Sequence, residues 1–231
     1  MIEITDHLAD IERRIAIALD RSGRGGETVT IVGVSKTQPP SAVRAAASAG
    51  ISHFGENYLQ EAIAKIAAVD DPALQWHFIG RIQSNKTRQI AEHFGWVETV
   101  DRPQIAERLS AQRPAGREPL NVLIQLNLHG ESQKGGVTAD GLLPLAEHVS
   151  QLPGLRLRGV MSIPPAGLDA QASRAGFLAV RDAAARLHRH GIPTDTLSMG
   201  MSADFELAIA CGATSVRIGT ALFGERHRSP N

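Results

Sequence analysis

Lys36 follows an uncharged run rich in β-branched residues, 28–35, and is followed at once by Thr37, Gln38, Pro39 and Pro40. The run reads as a buried strand, and the prolines with Ser41 as the start of a helix. A lysine where a parallel strand opens into its loop points to the side of an α/β fold where ligands bind. Desolvation there lowers an ammonium pKa and frees the amine to attack a carbonyl. A solvated lysine at a strand end is the plain alternative.

The second stretch with chemical content lies near the other end of the chain. Residues 198–204 stand where a seventh strand ends, and residues 215–220 form an eighth strand running into a Gly-Thr turn. Ser202 is placed to cap the helix that follows, with Asp204 in its first turn and Gly212 just past its end. In a barrel, the loops after strands seven and eight commonly form a phosphate site from backbone N–H groups and a helix N-terminus. Gly200 and Gly219 let the backbone approach an anion, and Ser202 and Thr220 add hydroxyls. Plain turn and cap chemistry would use the same residues. Strand alternation sets Ser215 and Arg217 on one face and Val216 and Ile218 on the other. An arginine aimed into a barrel interior needs an acceptor, either a ligand heteroatom or a carboxylate; one aimed outward beneath a helix does not. Asn57 after strand two, His77 within strand three, and Asn127 with the 131–135 loop after strand five would ring the same mouth.

These residues need a frame that brings strand ends together. Ile4, Leu8, Ile11, Ile15 and Leu19 mark one face of a leading helix, and the glycine-rich 22–26 segment ends it. That segment precedes a strand, so it reads as a connector and not a phosphate loop. Strand-like runs then fall at 28–35, 52–54, 75–79, 96–99, 121–126, 155–160, 195–197 and 215–218, with helical patterns between them. Regular alternation implies a parallel sheet with right-handed crossovers. Eight units in this length match a small (β/α)8 TIM-type barrel with an extra N-terminal helix, the open doubly wound sheet being the alternative. No linker splits the chain: residues 1–231 read as one domain, with 1–26 as helix and connector and 225–231 as a polar, mobile tail.

Bulk properties set several function classes aside. Lysine plus arginine equals aspartate plus glutamate, 24 each, so no broad basic field exists to hold nucleic acid or an anionic membrane. Apolar runs are too short to cross a bilayer, and the first residues lack a signal peptide's basic region. The single cysteine, Cys211, excludes an internal disulfide, fits a reducing cytoplasm and reads as helix packing. Residues 35–37 lack the glycines of a Walker A loop, and neither His-Glu-x-x-His nor Gly-x-Ser-x-Gly occurs. His188 and His190 face different ways on a helix and make poor metal partners.

The chain resembles the pyridoxal phosphate homeostasis protein family, itself similar to the barrel domain of alanine racemase. The resemblance rests on residues 34–37 (VSKT), 53–58 (HFGENY), 77–80 (HFIG), 83–86 (QSNK), 159–163 (GVMSI), 197–202 (LSMGMS) and 216–220 (VRIGT), which span nearly the whole chain in order. It implies pyridoxal 5′-phosphate as cofactor, held as a Schiff base on Lys36. It implies that Ser202, Gly219 and Thr220 hold the phosphate, that Arg217 faces the pyridine nitrogen, and that Asn57, His77, Met161 and Ser198 line the pocket. Lys134 matches a family lysine with a secondary role toward the cofactor. Gln38 stands at an often basic position and Arg81 where relatives often have proline.

The cofactor is a good electron sink when its ring nitrogen is protonated, and an arginine partner disfavours that proton. Racemisation also needs a base on each face of the substrate carbon. The racemases supply a tyrosine from a second, β-rich domain, which is not found here, and Tyr58 is the single tyrosine. The expected function is therefore a cytoplasmic, monomeric carrier that sequesters the cofactor and delivers it to apoenzymes. The alternatives are a racemase-like enzyme using Tyr58 or His77 as second base, and a barrel binding another phosphorylated metabolite without a covalent bond.

Overall fold

Pro39 and Pro40 show how each βα unit is punctuated. Pro40 occupies the first turn of α2, where a missing N–H costs nothing, and Gly50 at φ 120° ends that helix. The computed structural model describes residues 2–128, 135–165 and 167–224. Its helices are α1 (Ile2–Arg21), α2 (Pro40–Ala49), α3 (Leu59–Val69), α4 (Thr87–His93), α5 (Pro103–Gln112), α6 (Ala139–Ser150), α7 (Ala170–Arg189), α8 (Phe205–Ala210) and α9 (Thr220–Phe223). Its strands are β1 (Thr30–Val34), β2 (His53–Glu56), β3 (Gln75–Phe78), β4 (Trp96–Val100), β5 (Leu120–Leu126), β6 (Leu155–Ser162), β7 (Thr196–Met201) and β8 (Ser215–Ile218). All eight pair in parallel and in chain order, and β1 closes on β8 with Ile31 opposite Val216. The architecture is the (β/α)8 barrel with an added N-terminal helix.

The main core lies between the sheet and its helices, where Phe54, Phe94, Phe177 and Phe205 are fully buried. Helix α1 buries Leu8, Ile11, Ile15 and Leu19, packing against α2, α8 and α9. It therefore buttresses the strand-seven and strand-eight loops: Arg14 donates to Glu206 at 2.7 Å, and the His7 ring meets the Leu222 carbonyl at 3.0 Å. Inside the barrel, Trp96, Leu123 and Met161 form a small separate cluster. Gly159 of β6 has φ 154°, and a Cβ there would stand 1.8 Å from the Thr196 carbonyl oxygen, so only glycine lets β7 approach. Among the described residues no helix is long and apolar enough to cross a membrane.

Strand ends differ from the pattern-based expectation in ways that matter for the site. Strand β1 starts at Thr30, not residue 28, and ends at Val34, so Lys36 lies in the loop proper. Strand β7 runs through Met201 instead of stopping at residue 197, because its pairing with β8 shifts register between Ser198 and Met201, with Gly200 at φ 93° in between. The Gly-Thr turn after β8 continues into α9. Lys134 and the tail from 225 lie outside the described residues.

Candidate functional site

A cavity of about 350 Å³ opens at the C-terminal mouth of the barrel, lined by Lys36, Asn57, Ser202, Arg217, Gly219 and Thr220 together with Gln38 and the apolar Val34, Ile79, Ile163 and Met201. Its size and mixed lining suit a small-molecule site. Six of the residues implied by the resemblance thus converge here from the ends of β1, β2, β7 and β8. His77, Ser198 and Met161 do not line it. They are buried in the barrel interior. Asn57 presents a buried side-chain oxygen with no hydrogen-bond partner among the described residues, an acceptor left open at the cavity wall.

Ser202 does not cap α8. Its hydroxyl oxygen accepts the N–H groups of Gly219 (3.2 Å) and Ala221 (3.3 Å), tying the β7 loop to the start of α9. Asp204 precedes α8 and accepts the Met201 N–H at 2.7 Å instead. The turn geometry around Gly200 carries Ser202 across to the neighbouring strand's loop, which local capping rules do not foresee. Two N–H groups and two hydroxyls therefore gather at one edge of the cavity.

Arg217 points inward and is fully enclosed. Its guanidinium donates to the Ser198 hydroxyl (2.6 Å) and the Ser162 carbonyl (2.8 Å), and stands 3.8 Å from the Glu98 carboxylate. Glu98 is the acceptor that such an arginine requires. It also receives the Ser198 hydroxyl at 2.6 Å and the His77 ring at 2.7 Å. Burial alone would raise the Glu98 pKa, but the His77 hydrogen bond and the charges of His77 and Arg217 bring it below its ordinary value. Burial draws Arg217 down, opposed by Glu98 and Asp204.

The polar line continues away from the cavity. A carboxylate can only accept, so His77 carries its hydrogen on Nδ1. Its other ring nitrogen, Nε2, is in hydrogen-bond contact with His53 Nδ1 at 2.8 Å. Trp96 stacks on His77 at 5.0 Å. His53 borders a second cavity, about 390 Å³, at the opposite mouth, with Arg158 and Asp195 among its lining residues. There Arg158 forms a bidentate pair with Asp195, Nε to Oδ1 and Nη2 to Oδ2, and covers the Trp96 ring at 4.7 Å. Lys36 and the hydroxyl cup are far from this mouth, and ligand sites in this architecture lie at the C-terminal one.

Burial, and then charge on His77, lower the His53 pKa from 6.5 to about 4, against the pull of Glu98. The unfolded chain thus binds more protons between these values, and stability is full above pH 6.5 and lost as pH falls toward 4. Discounted for the ring's partial exposure, the loss is about 1–2 kcal/mol, or roughly 3–6 °C in melting temperature. Melts of wild type and His53→Asn across pH 4 to 7 check this. A variant whose pH slope matches the wild type's rules His53 out as the source.

Glu98 and His53 were not anticipated as site residues. The available signal was a lone carboxylate in the middle of a strand, Trp96–Val100, that carries no other charge.

A family model described as "Alanine racemase, N-terminal domain" matches residues 7–227. The chain is 54% identical to the pyridoxal phosphate homeostasis protein of Pseudomonas aeruginosa, covering 98% of this chain and 97% of that one. The chain belongs to the pyridoxal phosphate homeostasis protein family. The Escherichia coli member is 48% identical over 99% of both chains. The structure of PipY from Synechococcus elongatus, solved with PLP bound, superimposes with a TM-score of 0.84 at 40% identity, covering 96% of this chain and all of that one. Alanine racemase from Corynebacterium glutamicum shares the fold, with a TM-score of 0.70 at 16% identity over 61% of its length.

Proposed function

We propose that this protein binds pyridoxal 5′-phosphate as a Schiff base on Lys36 and serves vitamin B6 homeostasis as a carrier without robust catalysis. The observation that carries the reading is the meeting, in one cavity, of a lysine amine, the Ser202–Gly219–Thr220 cup and the Arg217 guanidinium. These groups fit the cofactor's aldehyde, phosphate and ring nitrogen in turn, and the open Asn57 oxygen supplies an acceptor for a hydroxyl. When bound, the cofactor supplies an aldehyde carbon that joins a primary amine with loss of water, a bond that water or a competing amine reverses.

The protein's own groups fit holding better than turnover. Arg217 is fixed by Ser198, Ser162 and Glu98, so a positive charge faces the position where ring protonation would add another. Neither candidate second base borders the cavity. Tyr58 is exposed and lines a separate cleft with Arg81 and Lys86, and His77 is engaged by Glu98 and His53. On this reading the protein works as a cytoplasmic monomer that hands the cofactor to apoenzymes, Lys134 having a secondary role.

Purified protein incubated with pyridoxal 5′-phosphate, reduced with borohydride and peptide-mapped will carry the label on Lys36. Absence of any adduct would remove the reading and leave a phosphate-binding barrel. An amino-acid panel turned over at enzyme-like rates would remove the carrier role. Ser202→Ala deletes the hydroxyl that organises the cup. A lost hydrogen bond to a charged group is worth about 1.5–3 kcal/mol, so equilibrium dialysis is expected to show cofactor affinity falling roughly 10-fold or more. Unchanged affinity would place the phosphate elsewhere.

A further inference from the structure

Lys65 is a lysine on α3 that the cofactor cavity does not use and solvent does not reach. Its side chain is 3% exposed, and its three N–H donors are all taken: the Ser35 carbonyl at 2.6 Å, Glu56 at 2.5 Å and Glu61 at 2.9 Å. Glu56 is itself fully buried and accepts the Ser35 hydroxyl at 2.6 Å. Its second oxygen has no hydrogen-bond partner among the described residues. Burial pushes the Glu56 carboxyl pKa up, opposed by the hydrogen bonds from Lys65 and Ser35.

A buried ion cluster of this kind is a poor source of stability, because well-packed apolar side chains would fill the space at less desolvation cost. Its geometry is specific to one place. The Ser35 carbonyl belongs to the peptide immediately before Lys36. The Glu61 oxygen that holds Lys65 also accepts the Thr37 N–H at 2.6 Å, from the peptide immediately after it. Both flanking peptide units therefore end on the same ammonium. Between them the chain is bent: Thr37 has φ 65°, a left-handed conformation that a β-branched residue avoids unless its surroundings impose it. Gln38 N–H closes the turn on the Ser35 carbonyl at 3.0 Å.

We propose that Lys65, with Glu56 and Glu61, is a positioning residue for Lys36. The cluster clamps the strained turn so that the Lys36 amine enters the cofactor cavity from one fixed backbone direction. This rests on Lys36 being the cofactor lysine. Orientation of a reacting group is worth large factors in rate, up to about 100-fold for a displacement near 1 Å. Strain stored beside the reacting lysine is maintained by the clamp and would relax without it.

The test follows the rate at which the pyridoxal 5′-phosphate adduct appears in visible absorption, its pH midpoint, and the melting temperature, for wild type, Lys65→Met, Glu61→Ala, Glu61→Gln and Thr37→Gly combined with Glu61→Ala. Glu61 is partly exposed, so its variants keep the fold even if Lys65→Met does not. Glu61→Ala is expected to form the adduct roughly 10- to 100-fold more slowly with a displaced pH midpoint. Glu61→Gln, which keeps the acceptor, will stay near wild type. Glycine at position 37 accepts the left-handed turn without a clamp, so the double variant will recover part of the lost rate. Folded variants with wild-type rates and pH midpoints overturn the positioning role while leaving the cofactor lysine in place. A wild type with no adduct on Lys36 overturns both.

Discussion

Lys36→Ala protein mixed with pyridoxal 5′-phosphate will show no lysine-adduct absorption band and no borohydride-fixed label at position 36. The expected loss is complete, because a covalent bond to one nitrogen has no partial substitute at that position. Its melting temperature will stay close to that of wild type. Lys36 is half-buried at the cavity edge, and truncations outside cores and networks change stability by about 0.5 kcal/mol or less. The clamp beneath uses the backbone of Ser35 and Thr37 and is untouched by removing the amine. The cup residues also remain, so the variant still takes up the cofactor or free phosphate weakly and reversibly. Peptide mapping separates the outcomes. An undiminished band with the label on another lysine, Lys134 being the one implied by family resemblance, sinks the assignment of Lys36.

The barrel was legible because its signals are local. Short strand-like runs alternate with helical periods, and prolines or glycines sit at several of the joints. The cavity residues Lys36, Asn57, Ser202, Arg217, Gly219 and Thr220 were legible for a related reason: each stands at or just past a strand's C-terminal end, and the fold gathers those ends. Depth inside the barrel was not legible. His77, Ser198 and Met161 also point inward, but strand tilt and the β7–β8 register shift set them below the cavity floor, and no local pattern encodes shear. Ser202 looked like a cap because capping is read within one segment, while its actual donors lie 17 and 19 residues away. Lys65 reads in sequence as a solvated residue on α3. Its burial depends on the Glu56 carboxylate from β2, on Glu61 of its own helix and on the carbonyl after β1. Glu98 is the clearest case: its strand was identified, yet Ser198, the group that links it to Arg217, lies 100 positions on.

That distant pairing sets the second large effect. Glu98→Ala leaves the Arg217 guanidinium buried with no carboxylate against it, and strips an acceptor from both His77 and Ser198. Removing one partner of a buried ion pair costs about 3–5 kcal/mol. For a chain of this size that lowers the melting temperature by roughly 10 °C or more. The wild-type cluster is not thereby a large net stabiliser. Desolvating both ions offsets most of their attraction, and an apolar pair of similar volume is often as stable. Glu98→Leu combined with Arg217→Leu is therefore expected to regain much of what Glu98→Ala loses, a strongly non-additive cycle between two residues sharing Ser198. Cofactor affinity will not follow stability back, because Arg217 lines the cavity and Glu98 does not. Thermal melts give one axis and dialysis against pyridoxal 5′-phosphate the other. A Glu98→Ala protein that melts with the wild type means Arg217 finds its counter-charge elsewhere. A double variant that melts normally and binds normally means that Arg217 does not face the cofactor. The combination expected here, stability restored and binding still weakened, requires the buried carboxylate to exist for the arginine and the arginine to exist for the cavity.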